Sequence, residues 1–381
     1  MKLVIHDLNE EAWDSVREKY DDCTVISDNG LIRPCTGCFS CWNRTPGRCV
    51  IKDGYEDMGQ LVHQADEVIV ISRYTYGGFS GFVKNVFDRC LGYVLPHFEV
   101  IAGETHHKKR YDEVKPFTFI FYGDHIGSDE RKSAETYVKA VCANFRAEVR
   151  EVVFRECGQE KRTVIRPDAE PGSRVILLNA SMRSANGNSA KLARQLEKQL
   201  KSGTEIISLS KHLRDLSGLV RILGEASALV ICVPLYVDGL PSQLIRLLET
   251  FRKEYSGPKM RIYVLANMGL YESSQLTSLF RAVKQWSAEM GFDYCGGLGI
   301  SAGELVGGLM DIAGFRILPL KKAAAGMDQL SDAVDAGKGI GDLYVQPYLF
   351  PRSLYLFIAN SGWKRMAKKN GIRPEDLYRR L

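Results

Sequence analysis

The sequence predicts an α/β protein made of two tandem, doubly wound parallel-sheet domains. Three observations predict it. Short apolar runs bounded by polar loops alternate with helical stretches, the pattern of a parallel sheet with helices on both faces. That alternation runs once, breaks at a charged segment containing Pro and Gly, and restarts in the same order. The chain has 381 residues, more than one ordinary domain, and 45% of them are hydrophobic, enough for two cores.

In the first half, residues 3–7 read as a strand, 10–20 as a helix and 24–27 as a second strand. A cysteine-bearing loop, a helix over 55–64 and the run 67–72 (EVIVIS) follow. A continuous apolar run of this kind is expected of a strand buried on both faces. A helix over 81–93, a strand over 117–122, a helix over 129–145 and a strand over 149–154 complete a domain of residues 1–157. Residues 158–173 (GQEKRTVIRPDAEPGS) read as a linker.

In the second domain, 174–340, strands are expected at 175–178, 205–209, 228–233 (ALVICV), 261–266 and 294–300. Helices are expected at 189–200, 243–255, 273–290 and 318–334. Residues 73–88 align without gaps on 234–249, at an offset of 161. The shared strand end, aromatic loop and helix predict a duplication. Residues 341–381 read as a C-terminal helical extension. Its helix, 352–369, carries Leu354, Leu356, Phe357, Trp363 and Met366 at helical spacing. Lys364, Arg365, Lys368 and Lys369 lie near its end, where cations suit the helix dipole. It reads as a tail helix packed on a domain rather than a membrane-surface or partner-docking helix.

The net charge is +5 without a basic element, which argues against a nucleic-acid binder. No run of 18 apolar residues exists, so no membrane span is expected. The opening MKLVIHDLNEEAW lacks the n- and h-regions of a signal peptide, and a cytoplasmic location is expected. Ten cysteines then point to metal, redox work or buried thiols rather than a disulfide framework. Cys23, Cys90, Cys142, Cys157, Cys232 and Cys295 fall mostly on strands or helices and read as core. The run His106-His107-Lys108-Lys109-Arg110 reads as a solvated insert. Asp124-His125 follows a strand at the switch-point edge, where lining a pocket is the less favoured of two readings.

Ligands of open parallel sheets bind at the carboxyl ends of the strands. The loop NASMRSANGNS (179–189) leads there into a helix N-terminus, where free N–H groups attract a phosphate. Ser181, Asn188 and Ser189 offer donors and Arg183 a guanidinium. Asn186 precedes Gly187, which allows a tight turn, and Asn188 or Ser189 is placed to cap the helix. The loop is neither GxGxxG nor a Walker loop, and it suits a single phosphate. Two further loops follow the next strands: Pro234-Leu235-Tyr236-Val237-Asp238-Gly239 and Asn267-Met268-Gly269-Leu270-Tyr271. Both can lay backbone amides and an aromatic ring beside a flat heterocycle. The first half has His6-Asp-Leu-Asn-Glu-Glu-Ala in place of the phosphate loop, and its acids would repel a phosphate.

These three loops resemble the flavodoxin-like NAD(P)H-dependent FMN reductases, whose loops read G-S-x-R-x-x-G-N-S and P-x-Y-x-x-x-x-P. The likeness covers most of residues 174–301. It departs at Ala180, where the family has Gly, and in one extra residue between Arg183 and Gly187. The resemblance implies that Ser181, Arg183, Asn188 and Ser189, with Asn186 and Gly187 in the same loop, hold the FMN phosphate. It implies that residues 234–239 and 267–271 border the isoalloxazine ring. Family members pair as dimers, so the chain is expected to be two tandem flavodoxin-like domains forming an intramolecular pseudo-dimer, with further homo-oligomerisation open.

The first half carries Cys35-x2-Cys38-x2-Cys41-x7-Cys49 instead. Four cysteines without histidine suit a [4Fe–4S] cluster or Zn. The spacing resembles iron–sulfur flavoproteins, and also flavodoxin-like reductases in which a cluster is not assured. Cluster, zinc and free thiols in a packed loop therefore stay open. Tyr74 and Tyr76 with this loop are expected to serve as a wall or electron relay for FMN held by the second half.

The function expected is an FMN-dependent NAD(P)H oxidoreductase. Its acceptor would be a quinone, a nitro or azo compound, a flavin or an iron–sulfur partner. The alternative is an electron carrier without its own substrate. The cofactor performs the chemistry, so no catalytic side-chain triad or dyad is expected.

Overall fold

The computed structural model describes every residue except 157, 159–163, 169–173 and 202. Cys157 and most of the expected linker therefore lie outside the described residues. The chain divides into two compact units. Unit 1 comprises Met1–Lys161 with Leu356–Leu381, and unit 2 comprises Arg162–Tyr355.

Unit 1 runs β1 (Lys2–His6), α1 (Glu10–Asp14), β2 (Cys23–Ser27), α2 (Ser40–Asn43), α3 (Met58–Gln64), β3 (Glu67–Arg73) and α4 (Gly81–Arg89). It continues with β4 (Val94–Ile101), β5 (Glu104–Lys109), β6 (Pro116–Gly123), α5 (Ser128–Phe145) and β7 (Glu148–Glu156). Its parallel sheet has the order β2-β1-β3-β6-β7. With the β4–β5 hairpin set aside, this is the 2-1-3-4-5 order of flavodoxin.

Unit 2 runs β8 (Val175–Asn179), α6 (Asn188–Glu197), β9 (Thr204–Ser208), α7 (Leu216–Leu223), β10 (Ala228–Pro234), α8 (Ser242–Glu254) and β11 (Arg261–Asn267). Then come α9 (Thr277–Met290), β12 (Asp293–Ile300), α10 (Gly303–Ala313), α11 (Lys321–Ala336) and β13 (Gly341–Val345). Its order, β9-β8-β10-β11-β12-β13, is again 2-1-3-4-5 with one further parallel strand. The chain is thus two tandem flavodoxin-like units with a C-terminal helical extension, α12 (Arg352–Lys369).

The repeat at an offset of 161 extends to backbone detail. Thr75 bridges Gly78 and Tyr236 bridges Gly239 in the same reciprocal turn. The two central residues have positive φ in both: Tyr76 and Gly77 (49° and 85°), Val237 and Asp238 (40° and 58°). A β-branched residue such as Val237 pays a steric cost there.

Three stretches depart from the sequence reading. The run 106–110 is not a solvated insert. Residues 94–109 form an antiparallel hairpin around Ala102 and Gly103, both at positive φ. Arg110 is 2% exposed. Its Nε donates to Gly92 O at 2.7 Å, and its Nη1 to Leu377 O and Arg379 O at 3.0 and 2.6 Å. Burial lowers its pKa to about 10. The helix α10 (GELVGGLMDIA) escapes a propensity reading because glycine disfavours helices. Finally, residues 341–345 (GDLYV) form an edge strand of the second sheet rather than part of a tail.

The extension contributes to both units. Tyr355 belongs to unit 2, where its hydroxyl donates to Gly269 O. Residues 356–381 belong to unit 1. There Trp363 meets Trp42 edge-on at 5.3 Å, Asn360 makes a reciprocal pair with the Phe98 backbone, and Asn370 donates to Asn43. Among the described residues no helix is long and apolar enough to cross a membrane.

Candidate functional site

The switch point of unit 2 lies at the carboxyl ends of β8 and β10. Asn179, the last residue of β8, organises the first loop. Its Oδ1 accepts the Ser181 N–H at 3.2 Å and its Nδ2 donates to Ser184 O at 3.2 Å. Ser181 Oγ accepts the Arg183 N–H at 3.3 Å. The extra residue before Gly187 is absorbed by a single 3₁₀ turn, Ser184–Asn186, with Ser184 at φ 52°. The helix α6 starts behind Gly187 with no side-chain cap, so neither Asn188 nor Ser189 caps it. A Cβ at Gly187 would lie 2.7 Å from Ser181 Oγ and would push that hydroxyl out of place.

The other two loops converge on the first. Asn267 Nδ2 donates to Ser189 Oγ at 2.6 Å, and Leu235 N–H donates to Asn267 O at 2.8 Å. Ser189 and Asn267 are buried. Of the third loop, Met268 and Leu270 are buried, and nothing lies near the open side of Gly269. Tyr271 is engaged elsewhere in unit 2. Its hydroxyl donates to Phe350 O at 2.6 Å and its ring packs on Tyr355. Two buried groups at the same end of the sheet, Gln243 Nε2 and Ser301 Oγ, have no hydrogen-bond partner.

The ionic surroundings were not legible in the motif. Arg183 Nη1 meets Glu304 Oε1 of α10 at 3.1 Å. Asn188 packs so closely on Gly307 that a Cβ at 307 would lie 2.0 Å from its Oδ1. Lys191 donates to Gly307 O at 3.2 Å and pairs with Asp311 at 2.5 Å. A phosphate at the loop must therefore compete with Glu304 for Arg183. The uncapped α6, the glycine turn and the serine donors fit a phosphomonoester.

The corresponding loop of unit 1 is chemically opposite. Asn9 caps α1, accepting the Ala12 N–H at 2.9 Å, and Glu10 and Glu11 occupy its first turn. Asp7 accepts the Arg73 N–H at 3.0 Å, and burial raises its pKa against that bond and others from Ser80 and Tyr122. His6, the last residue of β1 as Asn179 is of β8, is 2% exposed and stacks on Trp13 at 3.9 Å. Burial lowers its pKa to about 4.

The cysteine loop is clamped by a polar face of α4. Asn85 Oδ1 accepts the Cys35 N–H at 3.3 Å. Arg89 binds the Asp53 carboxylate through Nη1 and Nη2, at 2.7 and 2.9 Å, and donates to Arg33 O at 2.7 Å. All four cysteines are free; Cys38 is exposed and the other three half-buried. Burial pushes the Cys35 thiol up to about 12 and Cys41 well above its ordinary value. For Cys38 burial acts upward too. Hydrogen bonds from the Ser40 side chain and N–H, from the Thr36 side chain and from its own N–H outweigh it, so the thiol falls below its ordinary value.

Among the described residues no group of three or more His, Cys, Asp or Glu is disposed to hold a metal ion. The [4Fe–4S] and zinc expectations for Cys35, Cys38, Cys41 and Cys49 therefore find no support, and the residues as placed do not fit such a group. The reason is that the thiols are claimed separately. Cys49 is drawn to the Arg89 guanidinium, Cys35 Sγ accepts the Gly37 N–H at 3.5 Å, and Cys38 turns to solvent. Tyr74 and Tyr76 are buried in unit 1.

No protein-family model matches the chain, and no curated protein matches it in sequence. Solved structures with a similar course include the Trp repressor binding protein from Bacillus subtilis. That match has 18% identity and a TM-score of 0.27, covering 33% of this chain and 83% of that one. An NADH:FMN oxidoreductase in its apo form has 15% identity and a TM-score of 0.34, covering 44% and 90%. An FMN-dependent NADH-azoreductase from Bacillus anthracis in complex with FMN has 12% identity and a TM-score of 0.32, covering 42% and 99%.

Proposed function

We propose that unit 2 binds FMN and that the chain is a flavin-based NAD(P)H oxidoreductase. One observation carries the reading. An uncapped helix N-terminus, a glycine turn and the Ser181 and Ser189 hydroxyls meet at the carboxyl end of the sheet, tied to the third loop by Asn267. When bound, FMN supplies hydride and single-electron transfer between a nicotinamide and an acceptor.

The residues do the rest. The first N–H groups of α6 and the Ser181 and Ser189 hydroxyls receive the phosphate. Arg183 exchanges Glu304 for the phosphate and contributes a charged hydrogen bond. Asn267 accounts for one lone pair of Ser189 Oγ and so orients its proton. The turn at Val237 and Asp238 presents backbone to the ring, and its positive φ is held by the reciprocal Tyr236–Gly239 pair. The acceptor fitting this reading is a quinone, a nitro or azo compound, a flavin or an iron–sulfur protein.

The test is FMN titration followed by anaerobic addition of NADH or NADPH. Micromolar or tighter binding with bleaching of the flavin by a nicotinamide is expected. Binding without bleaching would favour a carrier, and no binding would end the reading. In Arg183→Ala, FMN affinity should fall by about 1.5–3 kcal/mol. Unchanged affinity would remove Arg183 from the site.

A further inference from the structure

The cysteine loop of unit 1 holds four free thiols in one place without a metal-ligating arrangement. They are neighbours nonetheless: Cys35 and Cys41 each lie within electrostatic range of Cys49 and Cys38. The loop is not loose. Asn85 holds Cys35, and the Arg89–Asp53 pair joins α4 to the segment following Cys49.

Within this frame the thiols differ. Cys38 is the exposed one, and the polar side chains of Thr36 and Ser40 stand two residues away on either side of it. Reactive thiols sit in accessible, polar surroundings of this kind. Gly37 and Phe39 on either side have left-handed backbone, φ 63° and 58°, so the chain folds sharply about Cys38. The Gly37 N–H donates to Cys35 Sγ, which brings that sulfur back against the residue preceding Cys38. An accessible thiol beside a half-buried one is the arrangement of a thiol that is oxidised and then resolved.

We propose that Cys38 is a hydroperoxide-reactive thiol and that Cys35 resolves it to an intraloop disulfide. The Cys38 sulfur attacks the peroxide O–O bond. An S–O bond forms, the O–O bond breaks, and the two-electron reduction of the peroxide releases water or an alcohol. The Cys35 sulfur then attacks the sulfenic acid. An S–S bond forms, the S–O bond breaks, and the hydroxyl leaves as water with the proton of the Cys35 thiol. A dithiol reductant reverses the change. This proposal is independent of the flavin reading, since it concerns unit 1 alone.

The experiment uses the full chain, reduced and freed of reductant. It is treated with hydrogen peroxide or cumene hydroperoxide, quenched over time, and mapped by mass spectrometry. Cys23, partly exposed in the same unit, serves as the internal standard. The expected result is a Cys35–Cys38 disulfide formed at least tenfold faster than Cys23 is oxidised, with two thiols lost per peroxide consumed. In Cys35→Ser, a dimedone-reactive sulfenic acid should accumulate on Cys38; in Cys38→Ser, the fast phase should vanish. The wild-type competition between Cys38 and Cys23 needs no variant to fold. Equal rates at the two cysteines, a disulfide joining other members of the loop, or stoichiometric iron or zinc that protects all four thiols would overturn the proposal.

Discussion

Units 1 and 2 share strand order, a reciprocal turn and an offset of 161 residues, yet their first loops and one sheet face are opposite. In unit 2 the face of β8, β10 and β11 that bears Leu177, Val230 and Leu265 packs under α6 and α11 in a large core. In unit 1 the matching face bears Val4, Ile69 and Ile120, and among the described residues α1, a 3₁₀ turn and partly buried neighbours pack against it. Its amino end is ionic instead: Glu67 pairs with Lys2 at 3.2 Å and Arg150 at 3.0 Å and accepts from Thr118. The lesson is that one backbone plan serves two purposes. A helix left uncapped and flanked by Arg183 can receive an anion; a helix capped by Asn9 and preceded by Asp7 cannot use the same N–H groups for one.

The comparison can be broken first at α4. Arg89 has its counterpart in Thr250 of unit 2, so only unit 1 depends on this buried cation. Arg89→Leu leaves Asp53 only the longer ion pair with Arg33 at 4.0 Å and should cost up to about 3–5 kcal/mol. Urea unfolding followed by peptide-resolved hydrogen exchange should show the loss in residues 33–55, with α8 unaffected. A uniform loss across both units would refute the asymmetry.

The next test pairs two matched core positions. Leu265→Ala should fall in the upper part of the ~2–5 kcal/mol range for large-to-small changes, and Ile120→Ala in the lower part. The difference arises because the face around Ile120 is less enclosed. Equal costs would show that the two faces are equally packed.

Acid should separate the units as well. Burial lowers His6, His97 and His107, all in unit 1, to about 4. A histidine with a lowered folded pKa stays neutral in the native state while the unfolded chain takes up the proton first. The stability involved is therefore fully present above about pH 6.5 and is lost as pH falls toward 4. For His107 this is on the order of 3 kcal/mol. Hydrogen exchange at pH 7 and pH 4.5 should show unit 1 loosening before unit 2. The reverse order would contradict the assignment. The smallest expected effect concerns Glu304→Gln, which frees Arg183 from an exposed ion pair. FMN should then bind up to about fivefold tighter; weaker binding would mean that Glu304 supports the loop rather than competing with the phosphate.

Much of this was legible in residue order. The runs 67–72 and 228–233 announced buried parallel strands, and the aligned aromatic loops announced a repeat that the paired turns bear out. What escaped was non-local. Nothing near Arg110 indicates that its carbonyl partners are Leu377 and Arg379, and nothing near Arg183 indicates Glu304. Glycines hid α10; at one of them, Gly307, packing on Asn188 rather than propensity selects the residue. The spacing of the four cysteines placed them in one loop but could not show that Arg89 claims one of them.

The return of residues 356–381 to unit 1 has a consequence for synthesis. Arg110 is made early in the chain, but two of the carbonyls that receive it, Leu377 O and Arg379 O, are made 267 and 269 residues later. Residues 162–355 can finish folding while Arg110 has only the local carbonyls of Gly92 and Val94 as acceptors. At about 5–20 residues per second, unit 1 waits on the order of ten seconds or more for its closing segment. The second unit to be translated is thus the first that can be completed. During that interval the cysteine loop, which Trp363 and Asn370 later cover at Trp42 and Asn43, stands open to the nascent chain's surroundings.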